Sequence, residues 1–136
     1  MEWKLQLIVL PVADVDRAKA FYVDRAGFHL DVDHSAGDDF RVVQLTPSGS
    51  ACSIALMKNP ESAGAVKGLQ MVVADIDAAR RELTGRKVSA GDLFHFVDGT
   101  QKAGPHPTRG DFETFFSFSD PDGNEWLVQE FGHPSA

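Results

Sequence analysis

Residues 12–19 read Val-Ala-Asp-Val-Asp-Arg-Ala-Lys, and residues 73–80 read Val-Ala-Asp-Ile-Asp-Ala-Ala-Arg. The two stretches are offset by 61 residues, and an apolar run precedes each of them, at 5–12 and at 69–73. An apolar run followed by an aspartate that can cap a helix predicts a strand that leads directly into a helix. Because this unit occurs twice, the sequence indicates a chain built from two similar modules.

Each predicted helix has a signal at both ends. Asp14 and Asp75 are good N-cap residues, because a short carboxylate accepts hydrogen bonds from the free amides of the first helical turn. Gly27 and Gly85 follow the apolar faces of the two helices and fit the C-terminal stop. The sequence therefore predicts one helix in each module.

Three further strands are predicted after each helix. They are 28–33, 40–46 and 51–57 in the first half, and 87–90 or 93–97, then 113–119, then 125–131 in the second. Each half therefore reads β-α-β-β-β, which predicts an α+β fold of two tandem βαβββ modules. Module one covers about 1–58, a linker about 59–66 and module two about 67–136, so the single domain spans 1–136.

One segment departs from this symmetry. Residues 98–111 contain three glycines and two prolines and few apolar side chains. We predict a long loop here, which is either a lid or binding loop or a plain surface excursion. Arg109 and Asp111, with Glu113 just after the loop, either reach the mouth of a pocket or are ordinary surface charges.

The charge balance excludes some classes of partner. The chain has 13 Lys and Arg against 20 Asp and Glu, for a formal net charge of −7. Since it has no basic cluster, we predict neither a nucleic acid nor a membrane surface as partner. No apolar run could span a bilayer, no signal-peptide pattern is present, and Cys52 is the only cysteine, so no disulfide framework is possible. We therefore expect a cytoplasmic protein.

Two further features accompany the repeat. Phe21-Tyr22 stands at the end of the first predicted helix, and residues 120–124 read Asp-Pro-Asp-Gly-Asn, a strong hairpin turn before the last strand. Together with the repeat they resemble the vicinal oxygen chelate superfamily, which includes glyoxalase I, bleomycin-resistance proteins, fosfomycin-resistance enzymes and extradiol dioxygenases. The resemblance covers nearly the whole chain and implies that the two modules form a single cup-shaped domain and that the protein is a homodimer. It leaves the activity open, because members include lyases, dioxygenases, epimerases, transferases and drug binders.

The resemblance also implies where a metal would bind. Enzymes of this superfamily usually hold a divalent metal in the cup, with ligands on the first and last strand of each module. These positions correspond here to Leu7 and Ala55 in module one and to Gly68 and Leu127 in module two. None of these side chains has a donor atom for a divalent cation. A shift of the alignment by one or two residues reaches only Gln6, Ser53, Gln70 and Gln129. We therefore predict no metal and no cofactor.

His95 is the histidine that most merits a functional role. It lies between Phe94 and Phe96 in a strand-like stretch, and strand alternation points it away from both rings. If the two rings pack against the helices, His95 faces the cup. There it is either a hydrogen-bonded structural residue or a pocket group that acts as a general base.

Two glutamines have the alternation expected of cup-facing residues. Gln70 and Gln129 share the parity of Gly68 and Leu127, and in an apolar cavity they either bond a ligand or pair with each other or with the backbone. The apolar side chains that line the same cavity, or simply fill the core, are Leu7, Val9, Ala55, Met57, Val72, Phe115 and Leu127. This is a mostly apolar pocket with few polar groups, which is typical of a small-molecule site.

Three functions follow from this pattern. The first is a metal-independent binder of a small, largely apolar or aromatic molecule, as in bleomycin-resistance-type proteins. Its ligand contacts would be Leu7, Met57, Gln70, His95, Phe115, Leu127 and Gln129. The alternative is a glyoxalase-like lyase or isomerase, or a dioxygenase, with a metal-free acid/base site around His95 or non-standard metal ligands. The third is a non-catalytic interaction module. Whether the chain is an enzyme stays open at this point.

Overall fold

A computed structural model of the protein describes residues 1–134, and in it the chain divides into two compact units. The first unit consists of Met1–Val66 and Asp120–Asn124. The second consists of Lys67–Ser119 and the described residues from Glu125 onward. Each unit has one sheet and one α-helix, which confirms the predicted α+β class. None of the helices among residues 1–134 is long and apolar enough to cross a membrane.

The first unit is built on a four-stranded sheet. Its elements are β1 (Leu7–Val12), α1 (Val15–Ala20), β2 (His29–Ser35), β3 (Arg41–Thr46) and β4 (Ser53–Lys58). The strand order is β1-β4-β3-β2, in which β1 is parallel to β4 and the other pairs are antiparallel. Alternate residues of β1 and β3 are buried, namely Leu10, Val12, Val43 and Leu45, and on β4 the four residues Ser53–Leu56 are all buried. They form the core of the unit together with the buried side of α1.

The helix of the first unit ends in an unusual way. After α1 the chain continues as a single π turn, Phe21–Arg25. The amide of Ala26 donates to the carbonyl of Phe21 at 2.9 Å, which is the i to i−5 bond of such a turn. Gly27 follows with a φ of +78°, so the predicted glycine stop is confirmed. The turn buries Phe21 and Tyr22 side by side, with ring centroids 5.1 Å apart.

Tyr22 bonds to the Asp-Pro-Asp-Gly-Asn turn, which belongs to the first unit. Its hydroxyl donates to the buried carboxylate of Asp120 at 2.8 Å. That carboxylate also accepts the backbone amides of Asp122 at 2.9 Å and Asn124 at 3.0 Å, and the Asn124 side-chain amide at 2.9 Å. Four donors around one carboxylate offset its burial, because a buried charge is tolerated when it is fully hydrogen-bonded.

The rest of the turn is fixed by Asn124 and by close backbone packing. The Asn124 side chain donates to the carbonyl of Pro11 at 3.0 Å and accepts the amide of Val66 at 3.1 Å. Gly64 has a φ of +81°, and a Cβ at this position would collide with the carbonyl of Asp122. Glycine is therefore required where the chain passes the turn.

The second unit has a five-stranded sheet. Its elements are β5 (Leu69–Val73), α2 (Ile76–Gly85), β6 (Phe94–Val97), β7 (Thr100–Ala103), β8 (Phe115–Ser119) and β9 (Glu125–Glu130). The strand order is β5-β9-β8-β6-β7, in which β5 is parallel to β9 and the other pairs are antiparallel. Of the two stretches predicted for the strand after α2, 93–97 forms β6, whereas Ala90 makes only an isolated bridge.

The predicted helix starts are confirmed in both units. Asp14 accepts the amide of Arg17 at 3.1 Å, and Asp75 accepts the amide of Ala78 at 3.0 Å, so both aspartates cap their helices. α2 ends at Gly85 as predicted, but the residue with the left-handed backbone is Lys87, with a φ of +67°.

A strand lies where we predicted a structureless loop. β7 pairs with β6 as a hairpin, so the prediction for 98–111 was wrong over its first half. Asp98 and Gly99 join the two strands, and their φ angles are +49° and +78°. Two consecutive positive φ angles are typical of the type I′ turn that Asp-Gly favours. The second unit therefore has one strand more than the predicted βαβββ pattern.

We predict that Tyr22→Phe destabilises the protein by about 1–3 kcal/mol, because the change leaves a buried carboxylate short of one donor while the ring stays in place. The measurement is urea unfolding of the wild type, Tyr22→Phe, Asp120→Asn and the double variant. A coupling energy between the two single changes is expected, since the side chains are in direct contact. If Tyr22→Phe has the same free energy of unfolding as the wild type, the hydrogen bond from Tyr22 to Asp120 does not have the stabilising role given to it.

Candidate functional site

One face of the second sheet combines aromatic rings with side-chain amides. Residues directly opposite each other on paired strands point to the same face. Across the sheet from β6 to β5, one row of such partners is Phe94, Phe115, Gln129 and Val72, and the next row is Ser117, Leu127 and Gln70. We call this the aromatic face and define it by Gln70, Val72, Phe94, Phe96, Phe115, Leu127 and Gln129.

The three phenylalanines of the aromatic face form a compact cluster. Phe94 stacks on Phe115 with ring centroids 5.5 Å apart and planes 19° from parallel. Phe96 meets both rings edge-on, at 5.8 Å from Phe94 and 5.6 Å from Phe115. Phe115 is buried, whereas Phe96 is 47% exposed. The cluster therefore presents aromatic surface whose shape is fixed by its own packing.

The polar groups of the aromatic face are two amides at different depths. The Gln129 side chain is half-buried, and its Nε2 donates to the backbone carbonyl of Phe112 at 3.2 Å. Gln70 is exposed, and Val72 beside it on β5 is 57% exposed. Amides beside exposed apolar groups can bond a ligand without introducing charge.

The sequence-predicted residues do not all lie on this face. The structure brings together Gln70, Phe115, Leu127 and Gln129 in the second unit. Leu7 and Met57 belong to the first unit, where they lie on one face of the sheet because Leu7 pairs with Ser53 and Met57 with Pro11.

His95 lies on the other face of the second sheet. It would point into the predicted cup if Phe94 and Phe96 packed against the helices, but these rings pack on Phe115 and Phe96 is 47% exposed. Both rings lie on the aromatic face, so strand alternation turns His95 away from it. There the imidazole is buried, and its Nδ1 lies 2.7 Å from the carbonyl of Gly104. Burial and this contact are expected of a hydrogen-bonded structural histidine, and a role for His95 as a general base stays a prediction.

Sequence reasoning missed a partly buried ion pair behind the aromatic face. Arg109 donates through Nε and Nη2 to the two carboxylate oxygens of Glu130, each at 3.0 Å, and Nη2 also bonds to Asp77 at 2.8 Å. Glu130 is fully buried and further accepts the amide of Ile76 at 3.0 Å, at the start of α2. Arg109 is therefore the residue that fastens the loop after β7 to β9 and α2, and not a charge at a pocket mouth.

The hydrogen bonds decide the protonation of Glu130. Burial alone would raise its pKa, but the bonds from Arg109, Ile76 and His133 outweigh burial and hold the pKa below its ordinary value. The same contact raises the pKa of Arg109, chiefly through the hydrogen bond to Glu130. A signal for this pair was present in the sequence, because Glu130 shares the alternation of the buried Trp126 and Val128. A carboxylate on the core side of a strand requires a partner.

A carboxylate cluster surrounds this ion pair. Within residues 1–134, the one group of at least three possible metal donors is Asp75, Asp77 and Glu130, whose ligand atoms all lie within 4.8 Å of one another. Arg109 bonds to two of the three, and Asp75 caps α2. The guanidinium therefore already supplies the positive charge that a cation would bring.

Two concave surfaces of the first unit differ in character. One, of about 660 Å³, lies between the start of β2 and the β3–β4 turn. Its lining residues are Gly27, Phe28, His29, Asp31 and Thr46–Ser50. The other, of about 400 Å³, adjoins the start of α1 and has both acidic and basic side chains, including Asp16, Asp38 and Arg41. Neither has an aromatic cluster comparable to that of the second unit.

The family model for the Glyoxalase/Bleomycin resistance protein/Dioxygenase superfamily matches residues 4–128. The chain belongs to this superfamily. Its fold is similar to that of TnmS3, described as an antibiotic binding protein from Streptomyces sp. CB03234, with 32% identity, 98% of each chain covered and a TM-score of 0.73. A glyoxalase/bleomycin resistance protein from the same source is 30% identical, over 93% of this chain and all of that one, with a TM-score of 0.68. The uncharacterized protein YetH of Bacillus subtilis (strain 168) is 24% identical over 90% of this chain and 94% of its own length.

The side chains at the predicted metal positions do not fit a divalent cation. Leu7 and Ala55 in the first unit, and Gly68 and Leu127 in the second, have no donor atoms. Two of the polar neighbours, Ser53 and Gln129, have side-chain partners within their own unit. Ser53 bonds to Gln44 and Thr46, and Gln129 bonds to Phe112.

We predict that Glu130→Gln destabilises the protein by about 1.5–3 kcal/mol at pH 7, because Arg109 loses charged hydrogen bonds. A carboxyl whose pKa is lowered by folding contributes stability above its ordinary value of 4.5 and loses that contribution as the pH falls below it. The stability difference between wild type and variant should therefore shrink between pH 5 and pH 3. Urea unfolding followed at several pH values measures it, with the exposed Glu125→Gln as the control. A difference that stays constant with pH would contradict the account.

Proposed function

We propose that this member of the superfamily binds a small, largely apolar or aromatic molecule on the aromatic face, without a catalytic metal. The observation that carries the proposal is the stacked Phe94–Phe115 pair, with Phe96 across its edge, beside the amides of Gln70 and Gln129. Most small-molecule sites combine aromatic surface with a few polar groups that fix orientation.

Apolar contact with the phenylalanine rings supplies only a limited free energy of binding. A two-ring ligand that removes about 200 Å² of apolar surface from water gains about 5 kcal/mol. Association itself costs several kcal/mol, so such a ligand would bind weakly through apolar contact alone. Tighter binding therefore requires a larger ligand or a hydrogen bond to Gln70 or Gln129.

One relative supports the binding of a small molecule. TnmS3, which is described as an antibiotic binding protein, is 32% identical over nearly the whole chain. The net charge of −7 is compatible with a cationic ligand as well as a neutral one. The lack of donor atoms at the four predicted metal positions is the reason to propose binding without a metal.

A binding function is preferred over acid/base catalysis because of the groups that the aromatic face carries. On this face of β5 to β9 the titratable side chain is Glu125, at the exposed start of β9. His95, the candidate base of the metal-free enzyme alternative, lies on the opposite face. A general base must reach the proton that it removes.

The homodimer implied by the superfamily stays a prediction. Trp3 and Leu5, in the segment before β1, are 88% and 69% exposed, and Val9 on β1 is 54% exposed. Large apolar side chains exposed together are typical of surfaces that meet a partner. Light scattering after gel filtration measures the oligomeric state, and a monomer at micromolar concentration would contradict the prediction.

We predict that 2-naphthol raises the melting temperature of the wild type and that Phe96→Ala weakens its binding at least fivefold, because the variant removes half-exposed aromatic surface from the face. A ligand at 100 times its Kd stabilises the protein by about 2.7 kcal/mol. Phe40→Ala is the matched control, since Phe40 is also 47% exposed but belongs to the first unit. Equal weakening by both variants, or no stabilisation of the wild type by aromatic compounds, would overturn the proposed function.

A further inference from the structure

The backbone after Arg109 fixes the orientation of the Gln129 amide. Nε2 of Gln129 donates to the carbonyl of Phe112 at 3.2 Å, and the amide of Phe112 donates to the carbonyl of Glu130 at 2.8 Å. A glutamine whose nitrogen is bonded to a carbonyl cannot rotate its amide by 180° without placing two acceptors against each other. The Oε1 atom is therefore the end of this amide that is left for other partners.

Phe112 is itself held in a strained conformation. Its φ is +63°, in the left-handed region, which is uncommon for a bulky aromatic residue and persists only where surrounding contacts enforce it. Three contacts do so here. The Arg109 side chain is bonded to Glu130, the amide of Gly132 donates to Asp111 at 2.8 Å, and the Phe112 ring lies 4.9 Å from that of Phe131. The carbonyl that orients Gln129 is thus not free to move aside.

Within residues 1–134 no protein group donates to Oε1 of Gln129. Its cross-strand partners on either side are Phe115, whose ring stacks in the aromatic cluster, and Val72, which is 57% exposed. An unpaired acceptor therefore stands between an aromatic ring and an open aliphatic surface. Gln70, in contrast, is exposed and can present either end of its amide.

We infer that the aromatic face selects aromatic molecules that carry a hydrogen-bond donor, a hydroxyl or N–H on the ring, and that Gln129 is the residue that selects them. The inference rests on the proposed function and adds the chemical class of the ligand. Phe112 acts as a positioning residue through its backbone carbonyl. A site that presents a fixed acceptor favours a donor over the matching ether or N-alkyl compound, because the analogue leaves the acceptor unpaired.

The test compares pairs of ligands that differ only in the donor. One pair is 2-naphthol and 2-methoxynaphthalene, and the other is indole and 1-methylindole, each titrated against the wild type by calorimetry. We expect the donor compound of each pair to bind about 3–10-fold more tightly, as for one neutral hydrogen bond. Gln129→Leu should lose this preference and keep the affinity for 2-methoxynaphthalene. Gln70→Leu is the matched control and should keep the preference.

The outcomes separate the inference from the proposed function. Equal wild-type affinity for both members of each pair overturns the inference and leaves aromatic binding in place. Binding of none of the four compounds overturns both. A preference that survives in Gln129→Leu but disappears in Gln70→Leu would show that Gln70, and not Gln129, selects the donor. This result also overturns the inference. The comparison on the wild type decides the donor preference even if Gln129→Leu does not fold.

Discussion

The arrangement of the second unit depends on one contact, the bidentate hydrogen bonding of Arg109 to the buried carboxylate of Glu130. Glu130 also caps α2 through the amide of Ile76, so a single carboxylate joins the last strand, the helix start and the loop after β7. A buried ion pair of this kind is weak evidence for stability in itself, since desolvation offsets much of the attraction. Its effect here is geometrical, because it fixes a loop whose backbone contacts the candidate site.

Each unit contains a buried carboxylate whose burial is offset by hydrogen bonds. In the first, the carboxylate of Asp120 is buried and saturated by four donors, and in the second Glu130 is buried and saturated by Arg109, Ile76 and His133. Each carboxylate fastens a connecting segment to the core of its unit. In the second unit these bonds lie on the core side of the sheet. The aromatic face on the other side is therefore available for a ligand.

Local signals in the sequence predicted the elements well, because their causes are local. Asp14 and Asp75 cap helices where the repeat indicated, and the class of fold follows from the repeat and its strands. The β6–β7 hairpin was missed because the glycines and prolines of 98–111 outweighed the Asp98-Gly99 turn that joins the strands. The composition of a segment says less about its structure than two residues with defined backbone angles.

The sequence predicted which side chains of the candidate site share a face, but not which face meets the core. Alternation along a strand separates the two faces without saying which of them is buried. Gln70, Phe115, Leu127 and Gln129 do share one face, but the direction of His95 depended on how Phe94 and Phe96 pack. The bonds of Arg109 to Glu130 and of Gln129 to Phe112 join residues 17–21 positions apart, and no short-range pattern encodes them.

We propose that the ligand binds on the aromatic face of the second unit. Nuclear magnetic resonance of the isotope-labelled protein during titration with 2-naphthol tests it most directly, because each side-chain amide gives its own signal. The account predicts the largest shifts at the side-chain amides of Gln129 and Gln70 and at the backbone of β8 and β9. Shifts concentrated instead at the cavity lined by Thr46–Ser50 in the first unit would contradict it.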